Sequence, residues 1–163
     1  MNGILNVYKE KGFTSHDVVA KLRGILHQKK IGHTGTLDPD AVGVLPVCLG
    51  KATRVCDMLT EETKTYEAVM LLGVDTDTQD TSGKVLRTAE VTVTPEEVET
   101  AVLSFIGPYQ QIQQMYSALK VNGKKLYELA RKGIEVERKA REVQLFDLKI
   151  LDIDLPRVRM EVT

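Results

Sequence analysis

Apolar positions along the chain recur at two periods, and the switches between them mark the elements. Residues 3 to 8, GILNVY, read as a short strand ending at a KEKG turn. Val18, Val19, Leu22, Ile25 and Leu26 then fall at helical spacing. Ser15 stands where an N-cap is wanted, Asp17 places a negative charge in the first turn, and the helix is predicted to end near His27. Residues 32 to 50 lose the period. Glycines at 32, 35, 43 and 50 and prolines at 39 and 46 break it, apart from the run Val42 to Leu49. Ala52 to Leu59 predicts another helix and Thr65 to Gly73 a strand. DTDTQDTSG, residues 75 to 83, predicts a polar turn from which Lys84 to Val93 pairs back.

In the second half, Thr94-Pro95-Glu96-Glu97 combines a cap, a proline at the first helical position and a capping-box glutamate. Val98, Val102 and Phe105 predict its buried face, and Gly107 its stop. Lys124 to Lys132 predicts a short helix closed by Gly133, and Val143 to Ile153 is rich in β-formers. Arg157 to Thr163 alternates, with Val158, Met160 and Val162 on one face. The alternation runs to the last residue, which predicts a piece of a longer fold. The order of elements predicts one α+β domain, residues 1–163, with a mixed, largely antiparallel sheet flanked by helices and loops.

Composition narrows the classes. No run approaches the ~18 apolar residues of a membrane span, and MNGILNVYKEKG has no signal-peptide core. A cytoplasmic protein with no membrane partner is expected. Cys48 and Cys56 are too few for a disulfide framework and lack zinc-site spacing, so buried small hydrophobes are expected. The net charge of −1 gives no sign of a polyanionic partner, but its distribution does. In residues 1–33, Lys9, Lys11, Lys21, Arg23, Lys29 and Lys30 stand against only Glu10 and Asp17, and His16, His27 and His33 lie there too. Such a patch suits a phosphate-bearing ligand, and on charge alone a solvated face accounts for it at least as well.

Three stretches carry candidate chemistry. In HTGTLDPDAVGVLPVCLGKATRV, residues 33 to 55, Asp38 precedes a proline and is pushed into an extended shape. Glycines at 32 and 35 permit tight turning and close approach to a ligand. A fixed, partly buried carboxylate flanked by His33, Thr34 and Thr36 follows, fit to be a nucleophile or general base. An Asp-Pro turn with a purely structural role competes with that reading. DTDTQDTSG is not an EF-hand, since Asp80 and Leu86 occupy the positions that need Gly and Glu. LLGVDTDTQ approaches an aspartyl-phosphatase pattern with Asp75 as nucleophile, although Gln79 replaces the threonine; a solvated turn is the simpler account. QMYSALKVNGKKLYELARKG mixes Tyr116, Lys120, Lys124, Lys125, Tyr127, Arg131 and Lys132, which suits RNA or an amphipathic helix with half-buried tyrosines.

GHTGTLDPDAVGVLPVCLGKATRV resembles the catalytic motif of the TruB family of tRNA pseudouridine synthases. YKEKGFTSHDVV resembles its N-terminal lysine-glycine-serine motif. KTYEAVMLLGVDTDTQDTSG resembles its tyrosine motif and following turn, and QMYSALKVNGKKLYELARKG its Tyr-Ser-Ala-x-Lys segment. The resemblance implies a pseudouridine synthase-like catalytic domain that isomerises uridine 55 in the T-arm of tRNA, with no cofactor and no metal, acting as a monomer. It implies that Asp38 attacks the ribose C1′ or the base, that Tyr66 stacks on the target base, that His33 supports the RNA where the uridine has flipped out, and that Lys9 helps order the site. The chain departs from the family pattern at KEKG, where Lys-Pro-x-Gly is usual, and at QIQQMY, where two prolines precede Met-Tyr. The family also continues into a Ser-Lys-Gly-Thr-Tyr-Ile-Arg motif, whose arginine pairs with the aspartate, and a C-terminal RNA-binding extension, neither of which lies in these 163 residues. Weak or absent activity of this piece is therefore expected. The alternatives are a non-catalytic tRNA-binding fragment, indifferent to Asp38→Ala, and a Mg²⁺-dependent phosphatase at Asp75.

Overall fold

The computed structural model describes residues 1–112, 120–121, 124–126, 129, 133–134, 136–138 and 140–163. The packing divides into two compact units, Met1–Thr63 and Lys64–Thr163.

The first unit contains β1 (Gly3–Lys9), α1 (Ser15–Leu26), β2 (Ile31–His33), β3 (Gly43–Leu49), a 3₁₀ turn (Gly50–Val55) and α2 (Cys56–Thr60). The sheet order is β1-β3-β2, with both pairings antiparallel. Alternation sends Leu45, Val47 and Leu49 to one face, where they pack with Ile31 and with Val18 and Val19 of α1. Ile25, though at helical spacing, is exposed. Pro46 lies in the central strand, where a proline normally breaks a ladder. It is tolerated because β2 ends at His33, opposite Val47. The carbonyl of Pro46 faces that edge and accepts from Thr34 N at 3.1 Å, so its missing N–H falls where the ladder has already stopped.

The cap of α1 lies one residue earlier than expected. Thr14 Oγ1 accepts from Asp17 N at 3.1 Å, and the Asp17 carboxylate accepts from Thr14 N at 2.8 Å, closing a capping box. The side-chain and backbone hydrogen bonds from Thr14 hold the Asp17 carboxyl below its usual range. Ser15 is thereby freed for a tertiary contact. His27 ends the helix in the left-handed region, at φ 48°.

The second unit contains β4 (Tyr66–Leu71), β5 (Val74–Thr76), β6 (Val85–Thr88), α3 (Pro95–Leu103), β7 (Gly107–Ile112), β8 (Lys120–Val121), β9 (Lys124–Lys125), β10 (Ala140–Leu145), β11 (Leu148–Asp154) and β12 (Arg157–Val162). One sheet has the order β11-β12-β4; β10-β7, β5-β6 and β8-β9 are two-stranded. Every described pairing is antiparallel, as the α+β reading expects. Val158, Met160 and Leu148 pack with Val98 and Val102 of α3, and Val162 joins their edge. Thr94 and Glu97 form the expected capping box. Phe105 does not extend the buried face. The helix ends at Leu103, so Phe105 turns outward and meets Tyr109 edge-on at 5.4 Å. Of the helix expected at Lys124 to Lys132, the first two residues are strand β9, and Leu126 and Leu129 are buried. Gly133 has φ 67°, and Ile134 N donates to Leu129 O at 3.0 Å. The rest of that stretch lies outside the described residues.

Candidate active site

Asp38 sits in the loop between β2 and β3, and the chain on both sides of it is tied down. Thr34 is anchored to Pro46. Leu37 N donates to Ser15 Oγ at 2.9 Å, and the Leu37 side chain packs against the core. Asp38 O accepts from Ala41 N at 3.1 Å, closing a four-residue turn with Pro39 at its second position. Pro39 O accepts from Gly12 N at 2.8 Å and from Lys9 Nζ at 3.4 Å. All these ties run through main-chain atoms near Asp38 and none through its carboxylate. In an extended segment adjacent side chains point oppositely, so Leu37 going inward sends Asp38 outward. Asp38 is accordingly exposed, not partly buried as expected. Among the described residues, its carboxylate has no hydrogen bond or ion pair.

Lys9, at the end of β1, is fully buried. Its Nζ donates to Phe13 O at 2.7 Å, Glu10 O at 3.1 Å and Pro39 O at 3.4 Å, so each of its three donors has a carbonyl. A charged group is tolerated inside a protein only when so compensated. Lys9 thus joins the KEKG turn to the Asp38 loop, and it ties down the carbonyls around Gly12 although Glu10 replaces the usual proline. His33 closes β2 half-buried, with Nδ1 at 2.6 Å from Gly35 O. A carbonyl only accepts, so Nδ1 carries the hydrogen and Nε2 is the nitrogen left for a ligand. The His16 ring stands edge-on to it at 6.5 Å.

Lys9, His33 and Asp38 all lie in the first unit, with Lys9 bonded to the Asp38 loop at Pro39 O. Tyr66, the remaining expected residue, opens β4 of the second unit, is exposed, and lies opposite Val162. Gly12, Ser15, Thr34 and Pro46 all fall in stretches that the sequence marks, but their anchoring bonds are not legible there: the one from Leu37 N to Ser15 Oγ spans 22 residues.

The aspartate-rich hairpin has a structural account. Both Nε and a terminal nitrogen of Arg87 donate to Asp75 Oδ2, at 3.1 and 2.8 Å. Asp77 Oδ1 accepts from Lys84 N, and Asp80 Oδ1 from the Thr78 and Ser82 hydroxyls and Ser82 N. A side chain on Gly83 would collide with Thr78 and Asp77, which explains the glycine. Asp75, paired with Arg87, serves as a hairpin strut, which supports the simpler structural account of this stretch. Among the described residues, no three His, Cys, Asp or Glu side chains converge as a metal site. The hairpin and β4 line an open cleft of about 760 Å³, bordered by Ala68, Met70, Val74, Asp80 and Val85. Of the third stretch, Lys120, Lys124 and Lys125 lie in β8 and β9; Tyr116, Tyr127, Arg131 and Lys132 lie outside the described residues.

An α+β chain of antiparallel sheets that presents one carboxylate on a backbone-anchored Gly/Pro loop has the make-up of a pseudouridine synthase catalytic fold. The family model described as "TruB family pseudouridylate synthase (N terminal domain)" matches residues 23–163, and the chain belongs to that family. It is 57% identical over 162 residues to tRNA pseudouridine synthase B of Clostridium novyi, covering 99% of this chain and 56% of that protein. It is 53% identical over 162 residues to tRNA pseudouridine synthase B of Alkaliphilus oremlandii, covering 99% and 54%. The chain thus spans about half the length of the curated relatives it matches. Among solved structures, a Cbf5-Nop10-Gar1 complex matches with a TM-score of 0.72 at 32% identity, over 98% of this chain and 38% of that chain. An archaeal box H/ACA sRNP Nop10-Cbf5 complex matches with a TM-score of 0.67 at 30% identity, over 99% and 37%.

Proposed function

We propose that this chain is the catalytic part of a tRNA pseudouridine synthase, an isomerase that converts uridine 55 of the T-arm to pseudouridine. The observation that carries the reading is the Asp38 loop: its backbone is held at Thr34, Leu37 and Pro39, while the carboxylate itself stays exposed and unpaired among the described residues. The loop fixes the backbone from which the carboxylate projects and leaves its lone pairs free for attack. The relatives named tRNA pseudouridine synthase B support the substrate class.

The reaction breaks the bond from C1′ to N1 and forms one from C1′ to C5. A proton leaves C5 and one is taken up at N1, so product and substrate have the same composition and no cofactor is consumed. Asp38 attacks C1′ or the base to detach the uracil, and its departure completes the transfer. A uridine in a folded loop must first be flipped out, which costs a few kcal/mol. Stacking on an aromatic returns about 1–3 kcal/mol, and Tyr66 is the residue for that role. His33, with Nε2 directed away from its Gly35 bond, supports the RNA that the flipped base has left. Lys9 acts through the loop and is a positioning residue. The protein works in the cytoplasm as a monomer, with tRNA as its partner.

The test is tritium release from a T-arm stem-loop carrying 5-tritiated uridine, with the chain and its Asp38→Ala variant. Release that the variant lacks supports the proposal. Equal release from both would sink it. Stem-loop binding without release, unchanged in the variant, would favour a non-catalytic tRNA-binding fragment.

A further inference from the structure

We propose that Cys48 and Cys56 form a dithiol site that closes to an intramolecular disulfide by exchange with a low-molecular-weight disulfide. Cys48 is buried in β3, directly opposite Gly32 of β2. Directly opposed residues of an antiparallel pair project from the same face, with Cβ positions about 5 Å apart. A Cβ on Gly32 would lie 3.3 Å from Cys56 Sγ. The Cys56 sulfur therefore sits over the face from which the Cys48 side chain projects, in the space that Gly32 leaves open. Both thiols are free, and Cys56 is only partly buried, so solvent reaches one member of the pair. Burial, and then the adjacent Cys56 thiol, push the Cys48 thiol up to about 11. The two sulfurs thus have distinct parts, with Cys56 the accessible attacker and Cys48 the resolving thiol.

In the first step the Cys56 thiolate attacks one sulfur of the small disulfide, forms a mixed disulfide and releases a thiolate, which takes up a proton. Cys48 then gives up its proton and attacks the Cys56 sulfur, expelling the second small thiol. The protein dithiol is oxidised by two electrons, and the small disulfide is reduced to two thiols. The new bond would clamp the start of α2 to β3, two residues from the Pro46 carbonyl that anchors the Asp38 loop.

The experiment treats the whole chain with oxidised glutathione and follows intact mass and denatured thiol content. The parent chain is expected to lose both thiols and the mass of two hydrogens, with no retained adduct, reversibly with dithiothreitol. Cys48→Ser should stop at one glutathione adduct, and Cys56→Ser should stay unmodified. Gly32→Ala, which pushes against the Cys56 sulfur, should still form the adduct but close several-fold more slowly. A stable adduct on the parent chain, unreacted thiols or intermolecular dimers would each overturn the proposal.

Discussion

Lys9 and Asp38 sit on opposite sides of one loop, and their replacements should fail in different ways. Lys9→Met keeps the buried aliphatic stem but leaves the carbonyls of Phe13 and Glu10 without their ammonium donor, while Pro39 O keeps only Gly12 N. An unsatisfied buried polar group costs about 1–3 kcal/mol, so a loss of about 2 kcal/mol or more is expected in urea unfolding, together with loss of tritium release. Asp38→Asn removes a charge from an exposed side chain that is unpaired among the described residues. Such changes usually stay within about 0.5 kcal/mol, so stability should hold while release disappears. If Asp38→Asn unfolds as readily as Lys9→Met, the carboxylate is a structural group and the catalytic reading of the loop is wrong.

At the scale of elements, much is legible in the sequence, because local rules decide local features. The capping box at Thr94 and the β12 alternation need only neighbours along the chain, and both are present in the fold. Thr94→Ala should therefore cost about 1 kcal/mol of stability by thermal or urea unfolding. What is not legible depends on distant chain. Thr14 caps α1 and leaves the Ser15 hydroxyl to accept from Leu37 N, and Asp38 is exposed because Leu37 turns inward. The facing of Cys48 and Cys56 depends on the β2–β3 register, which no spacing rule reveals. The β5–β6 hairpin makes a pH prediction. Hydrogen bonds from the Ser82 and Thr78 hydroxyls, with backbone donors at Ser82 and Gly83, hold the Asp80 carboxyl below its ordinary 3.8. A folded value below the unfolded one stabilises the turn fully above the unfolded value, and that support is lost as pH falls through the folded value. An NMR titration of the Asp80 carboxyl carbon should show a midpoint below 3.8, rising toward it in a Thr78→Val, Ser82→Ala double variant. A parent midpoint at or above 3.8 would contradict the hydrogen-bonded turn.

For the molecule as a whole, the proposed ligand is a polyanion, yet the net charge is −1. Binding must then rest on local cations, and the structure sorts the six found in residues 1–33. Lys9 is buried; Lys11 pairs with Asp40 at 3.5 Å; Lys21 lies over the Phe13 ring; Arg23 donates to the Lys29 and Ile31 carbonyls. Lys29 and Lys30 are exposed, and among the described residues their ammonium groups have no such engagement. They follow α1 and precede β2, whose last residue is His33. A lysine on a phosphate displaces condensed counterions, and each such contact steepens the fall of log affinity with log salt by about 0.7–0.9. Replacing both by glutamine should weaken binding of a T-arm stem-loop equally for any loop sequence, and should flatten that slope by about 1.4–1.8. Asp38→Ala should leave the slope unchanged, since a carboxylate displaces no cation from RNA. An unaltered slope in the double lysine variant would mean that the phosphates are held elsewhere on the chain, and the basic cluster around His33 would then be a solvated face.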